Sequence, residues 1–191
     1  MPEENGGDFE TVPEDTYVAT CNRLIDLGTQ EVEYEGKVKH QPKILVGWEL
    51  TDALMSDGRP FTMQKRYTLS SSEKSTLRKD LESWRGVKFT AAELGTFSLT
   101  QLLGKSCMMG VKHETKGEKT YANISSLLRL IKGTTVSKLV NPVVHFDLSN
   151  FDKAVYESLS DNLRALIAKS PEYQALGTSK QVSQLADDDT F

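Results

Sequence analysis

Cysteine is nearly absent from this chain of 191 residues: only Cys21 and Cys107 occur, far apart and in no CxxC pattern. That excludes a disulfide scaffold and a cysteine-based zinc site, and implies two free thiols in a reducing cytoplasm. Histidine is scarce too. His40, His113 and His145 are scattered, with no cysteine at ligand spacing. No apolar run approaches the ~20 residues of a membrane-crossing helix. Residues 1–14 lack the basic and apolar regions of a secretion signal. Catalytic signatures are missing as well. Gly104-Lys105-Ser106 ends like a phosphate-binding loop, but that loop's first glycine would stand five residues before Gly104, where the chain has Leu99. No serine sits in a nucleophile elbow. Asp187–Asp189 are contiguous carboxylates, yet a tail cannot hold the octahedral geometry that Mg²⁺ demands. A non-catalytic protein without metal or cofactor is the expectation.

Charge, by contrast, is abundant and unevenly placed. The net charge of −4 conceals −9 over residues 1–35, +9 over 36–140 and −4 over 141–191. A basic middle between acidic ends suits a polyanionic partner, of which nucleic acid is the commonest. The alternative is charge dispersed over the whole surface.

The pattern of apolar residues gives the element order. Residues 1–14 read as a disordered acidic arm. Thr16–Leu27 is a strand that stops at Gly28, and Thr29–Gly36 is an acidic stretch ending in a Glu-Gly turn. Val38–Leu50 and Arg59–Leu69 form a hairpin around Ser56-Asp57-Gly58. Ser70–Trp84 is a helix, capped by Ser71 or Ser72, with Leu77, Leu81 and Trp84 on one stripe and Gly86 at its end. Thr90–Leu94 and Ser98–Leu103 are short helical turns. Lys105–His113 and Lys119–Ile131 are two more strands joined at Lys116-Gly117-Glu118. Residues 134–148 read as irregular, Phe151–Ala168 as one amphipathic helix, Glu172–Leu176 as a short helix and 177–191 as a flexible acidic tail. The fold class is mainly β with α. Three strands, a helical insertion and two strands are the order of a five-stranded OB-like barrel, here over residues 15–135, with an added C-terminal helical extension over 136–176.

Single-stranded nucleic acid needs cations for its phosphates and flat rings for its bases. The strands interleave both. Lys37, Lys39, Lys43 and Trp48 lie in the second strand, and Phe61, Lys65, Arg66 and Tyr67 in the third. Lys112, His113, Lys116, Lys119 and Tyr121 belong to the last two. Alternation puts Lys65 with Tyr67, and Lys119 with Tyr121, on shared faces. Core packing is the alternative for each ring. It weighs as heavily as stacking for Trp48 and Phe61, and less for Tyr67 and Tyr121, which sit beside cations. Trp84 continues a helical stripe and is assigned to the core. The segment Leu185–Phe191 places Asp187, Asp188 and Asp189 beside Phe191. A ring can fill an apolar pocket on a protein partner while the aspartates pair with bases around its rim.

That segment resembles the C-terminal tip of bacterial and phage single-stranded-DNA-binding proteins, with Thr190 where the bacterial pattern has Ile-Pro. The block from Lys39 to Ile131 resembles a family of small OB-fold single-stranded-DNA-binding proteins from phage and prophage replication clusters. The resemblance is carried by WEL at 48–50, KRYTLS at 65–70, LRKDLESWRG at 77–86, FT at 89–90, LLGKSC at 102–107 and TYANISSL at 120–127. It implies a protein in the host-cell cytoplasm that coats single-stranded DNA in replication or recombination. Through its tip it would recruit other replication or recombination proteins, and it would act as a monomer or homo-oligomer away from membranes. A protein-interaction module that inhibits a host factor, without DNA affinity, is the competing expectation. A nuclease would need a carboxylate cluster on the folded body, which the sequence does not offer.

Overall fold

The computed structural model describes residues 10–177. The architecture is mainly β with helices. Six strands form one sheet: β1 (Asp15–Tyr34), β2 (Lys37–Leu54), β3 (Pro60–Thr68), β4 (Ser106–Lys116), β5 (Lys119–Arg129) and β6 (Val144–Phe146). The hydrogen-bonded order is β3-β2-β1-β4-β5, all antiparallel. β6 runs parallel to β1 at Arg23–Ile25. No ladder joins the edge strands β3 and β5, so the sheet is open there. Helix α1 (Thr76–Arg85) touches both edges. Among the described residues no helix is long and apolar enough to cross a membrane.

β1 is longer than its apolar pattern suggests, because two irregularities let it serve two cores. The register shifts between Cys21 and Arg23 and again between Asp26 and Gly28. An extra residue in a strand reverses the side-chain alternation that follows. Ala19, Cys21 and Leu24 therefore face the larger core, while Ile25 and Leu27 face a second one. Gly28 does not end the strand. It takes φ +67°, and a Cβ there would lie 2.5 Å from Ser170 Cβ, so glycine permits both the bulge and the close approach of the C-terminal region. The strand runs on to a two-residue turn at Glu35-Gly36, both with positive φ, as tight hairpins require.

The larger core lies inside the curled sheet and holds Ile44, Val46, Trp48, Leu50, Cys107, Met109 and Leu127. α1 closes it with Leu77, Leu81 and Trp84, the stripe read from the sequence. Its cap is Ser75 rather than Ser71 or Ser72: the Ser75 hydroxyl accepts from Arg78 N. Trp84 sits 5.8 Å from Trp48, and its indole N–H donates to Ser106 O at 3.0 Å. α2 (Ala91–Thr96) is fixed by a capping box between Thr90 and Glu93. A 3-10 turn, Leu99–Leu102, leads into β4.

The second core lies on the opposite face of β1 and β2. Ile25, Leu27 and Leu45 pack there against Phe146, Leu148, Leu159, Leu163 and Ile167. The single helix expected at 151–168 is two: α3 (Lys153–Ser158) and α4 (Asp161–Ile167). Asp152 caps the first. Ser160 accepts from Leu163 N and starts the second, so a capping residue breaks the stripe and turns Leu159 inward. Residues 171–177 are again helical. The stretch read as irregular contains β6. A fully buried carboxylate holds the chain before it: Glu49 accepts from Val140 N and Asn141 N at 2.8 Å and from Asn141 Nδ2 at 2.7 Å.

Of the arm expected to be disordered, residues 10–14 pack on the body. Val12 is buried in the larger core, and Glu14 accepts from His113 N. Residues 1–9 and 178–191 lie outside the described residues, and with them the tail residues Asp187, Asp188, Asp189 and Phe191.

Candidate nucleic-acid interface

Beyond the Lys43–Thr68 pair β3 ends, and β4 leaves β1 at Thr20. β1 and β2 continue past both as a two-stranded ribbon over residues 29–42. Its register pairs Tyr34 with Lys37, Val32 with Lys39, Glu33 with Val38 and Glu31 with His40. Directly paired residues share a face and successive residues alternate. One face thus carries Tyr34, Lys37 and Lys39, and the other Glu31, Glu33 and His40. The acids Glu31 and Glu33 come from β1 and the cations Lys37 and Lys39 from β2, and the register of the pair puts them on opposite faces. Tyr34 is 61% exposed, and Lys39 Nζ lies 5.9 Å from its ring centroid. The C-terminal region braces the ribbon's base: Gln30 Nε2 donates to Leu166 O at 3.0 Å, and Thr29 N to Glu172 Oε2 at 2.9 Å.

A second group lies on the β4–β5 hairpin. Lys112 pairs with Asn123, Glu114 with Tyr121 and Lys116 with Lys119. These six residues share the face away from the larger core, since Val111 on the opposite parity is buried in that core. Three lysines and a half-buried tyrosine thus surround one glutamate. Glu114 is engaged by Lys116 at 3.4 Å and by Asn123 at 3.0 Å. His113 points the other way. Its ring nitrogen Nε2 lies 2.7 Å from Val12 O, so it anchors the N-terminal segment.

The third-strand candidates separate. Lys65 and Tyr67 do share a face, but it is the inner one. Tyr67 is 4% exposed, and its hydroxyl donates to Asp80 Oδ2 at 2.8 Å. Burial first, then the Asp80 charge, pushes the phenol far above its ordinary value. Lys65 Nζ meets the same oxygen at 2.7 Å and lies 5.2 Å from the Tyr67 ring. Trp48 and Phe61 are likewise core residues, at 1% and 4% exposure. None of these three rings presents a face for stacking, which corrects the expectation for them. Arg66 is exposed on the outer face, paired with Leu45 in the ladder. Lys43 is half-buried, donating to Gln41 at 2.8 Å and Thr68 at 2.6 Å, and burial lowers its pKa.

Thus Lys37 and Lys39 come together on the ribbon, and Lys112, Lys116, Lys119 and Tyr121 on the hairpin. The two groups lie toward opposite ends of the sheet, because β4 runs antiparallel to β1. Tyr34 was absent from the sequence-derived set. It was legible, however: a two-residue turn at Glu35-Gly36 puts Tyr34 opposite Lys37 on one face. A scan against protein-family models and a search of curated proteins both find no match for this chain.

Proposed function

We propose that this chain is a non-catalytic protein that binds single-stranded DNA without sequence preference, on an OB-like barrel whose β1–β2 and β4–β5 hairpins carry the contacts. The carrying observation is the grouping of cations with rings by face: Tyr34, Lys37 and Lys39 on one side of the ribbon, and Lys112, Lys116, Lys119 and Tyr121, around the one carboxylate Glu114, on one side of the hairpin. Cations beside an exposed ring are what phosphate and an unstacked base require. The OB-like reading draws on the helical insertion between β3 and β4 and on the two long hairpins, which flank the binding face in that fold. The resemblance of residues 39–131 to phage proteins supports a role in replication or recombination inside a host cell. Segment 185–191 would serve protein partners. An anisotropy titration with single-stranded and duplex oligonucleotides tests this. Tighter binding to the single strand is expected, and preference for duplex would refute it.

One observation favours a protein-interaction reading instead. Ile131, Val140 and Val143 expose 51–72% of their surface along the segment joining β5 to β6. On that reading the titration finds no affinity for DNA of either form.

A further inference from the structure

Away from both lysine groups, a cleft of about 490 Å³ opens between α1, α2 and the ends of β4 and β5. Its lining includes Leu81, Trp84 and Phe97, together with three cations, Arg85, Lys105 and Arg129. Among the described residues, Glu93 is the only carboxylate in this lining. It is already committed, accepting from Arg85 at 2.6 Å and from Thr90 N at 2.8 Å. Among the described residues neither Lys105 nor Arg129 has an ion-pair partner, and Arg85 Nη1 is buried with no hydrogen-bond partner. The Arg129 stem packs against Gly86, where a Cβ would lie 2.9 Å from Arg129 Cδ.

The rings here are engaged. The Arg85 guanidinium covers Phe89 at 4.1 Å, Phe97 lies 5.0 Å from Phe89, and Trp84 packs on Trp48. A nucleobase finds no open ring to stack on. An apolar hollow with unopposed cations at its rim fits a carboxylate-rich peptide with one bulky apolar side chain. The chain itself contains such a segment, with Asp187, Asp188, Asp189 and Phe191 in five residues. The 14 residues 178–191 have a maximum reach of roughly 45 Å.

We propose that this cleft is a docking site for an acidic, ring-bearing peptide, and that its occupant is Leu185–Phe191 of this chain. The site is independent of the nucleic-acid reading. Arg129 pairs with Cys107 at one end of the β4–β5 hairpin and Lys116 with Lys119 at the other. The separation is nine residues of β4, or roughly 30 Å. The occupied cleft therefore leaves the lysine face open.

The test uses the full chain carrying Asp187→Asn, Asp188→Asn, Asp189→Asn and Phe191→Ala, with a labelled peptide of residues 185–191 as probe. The peptide is expected to bind this variant more tightly than the unsubstituted chain, whose own segment competes. Adding Lys105→Ser and Arg129→Ser should weaken it roughly tenfold, as expected for two exposed charge pairs, whereas Arg129→Lys with Lys105 kept should retain it. A peptide with Phe191→Ala should bind the intact cleft no better than the full peptide binds the cleft carrying both serines. As a readout that needs no cleft substitution, the Trp84 indole N–H resonance should shift on peptide addition, while single-strand affinity stays unchanged. The proposal is overturned if the peptide does not bind. It is equally overturned if binding ignores the cleft substitutions and disappears with Lys112→Ser and Lys116→Ser. Displacement of the peptide by an oligonucleotide would place the segment on the nucleic-acid face instead.

Discussion

A carboxylate with no exposed surface must find donors for both oxygens, and Glu49 finds three on residues 140–141. This one side chain ties β2 to the segment that delivers β6. Glu49→Ala strands two backbone N–H groups and should cost about 2–4 kcal/mol of unfolding free energy. Chemical denaturation measures it; a loss below ~0.5 kcal/mol would mean the segment holds without the carboxylate. Two tyrosines make the opposite contrast. Tyr34→Ala should cost roughly 1–3 kcal/mol of single-strand binding and leave the melting temperature unchanged. Tyr67→Ala should instead cost about 3–5 kcal/mol of stability, as for a large aromatic removed from a core. Sequence spacing put Tyr67 beside Lys65, which is true; it could not say that α1 would bring Asp80 over that face and close it.

At the scale of elements, most of the order of strands and helices was legible, because alternation and the Leu77–Leu81–Trp84 stripe are local signals. What the local pattern missed came from distant contacts. Gly28 reads as a strand end until Ser170 and Leu148 are packed against it. β6 has only three residues and exists because β1 offers it an edge at Arg23–Ile25. The break at Ser160 was open to view in a serine before Asp161, yet the apolar stripe masked it. Gly28→Ala tests the first point. It forces φ +67° on a Cβ that meets Ser170, and should lower stability by about 2 kcal/mol or more while loosening residues 166–177 in amide exchange. Unchanged protection there would contradict the close approach. The α2 capping box makes a pH-dependent contribution. The Thr90 N–H first, then Arg85, hold the Glu93 carboxyl down to about 2. A depressed carboxyl stabilises the fold above its ordinary value and loses that contribution as pH falls from 4.5 to about 2. The melting difference between the parent chain and Glu93→Gln should be present at neutral pH and vanish by the bottom of that window.

For the whole molecule, strand pairing gathers lysines onto one face of the ribbon, apart from Glu31 and Glu33, and onto one face of the β4–β5 hairpin, around Glu114. That grouping explains how a chain of net charge −4 offers basic surfaces, and it is the central claim of the functional reading. Charge counts along the chain located the basic middle but not its faces, which follow from register. The second core covers part of the outer face of β1 and β2, and it includes neither Tyr34, Lys37 and Lys39 of the ribbon nor any residue of the β4–β5 hairpin. The most direct test is the salt dependence of single-strand affinity, measured for the parent chain and for two variants, Lys37→Ser with Lys39→Ser and Lys112→Ser with Lys116→Ser. Affinity should fall as salt rises, and each variant's log–log slope should be shallower by about 0.7 for every phosphate it no longer neutralises. A parent slope near zero, or slopes that neither pair of substitutions changes, would contradict the assignment of these faces to nucleic acid.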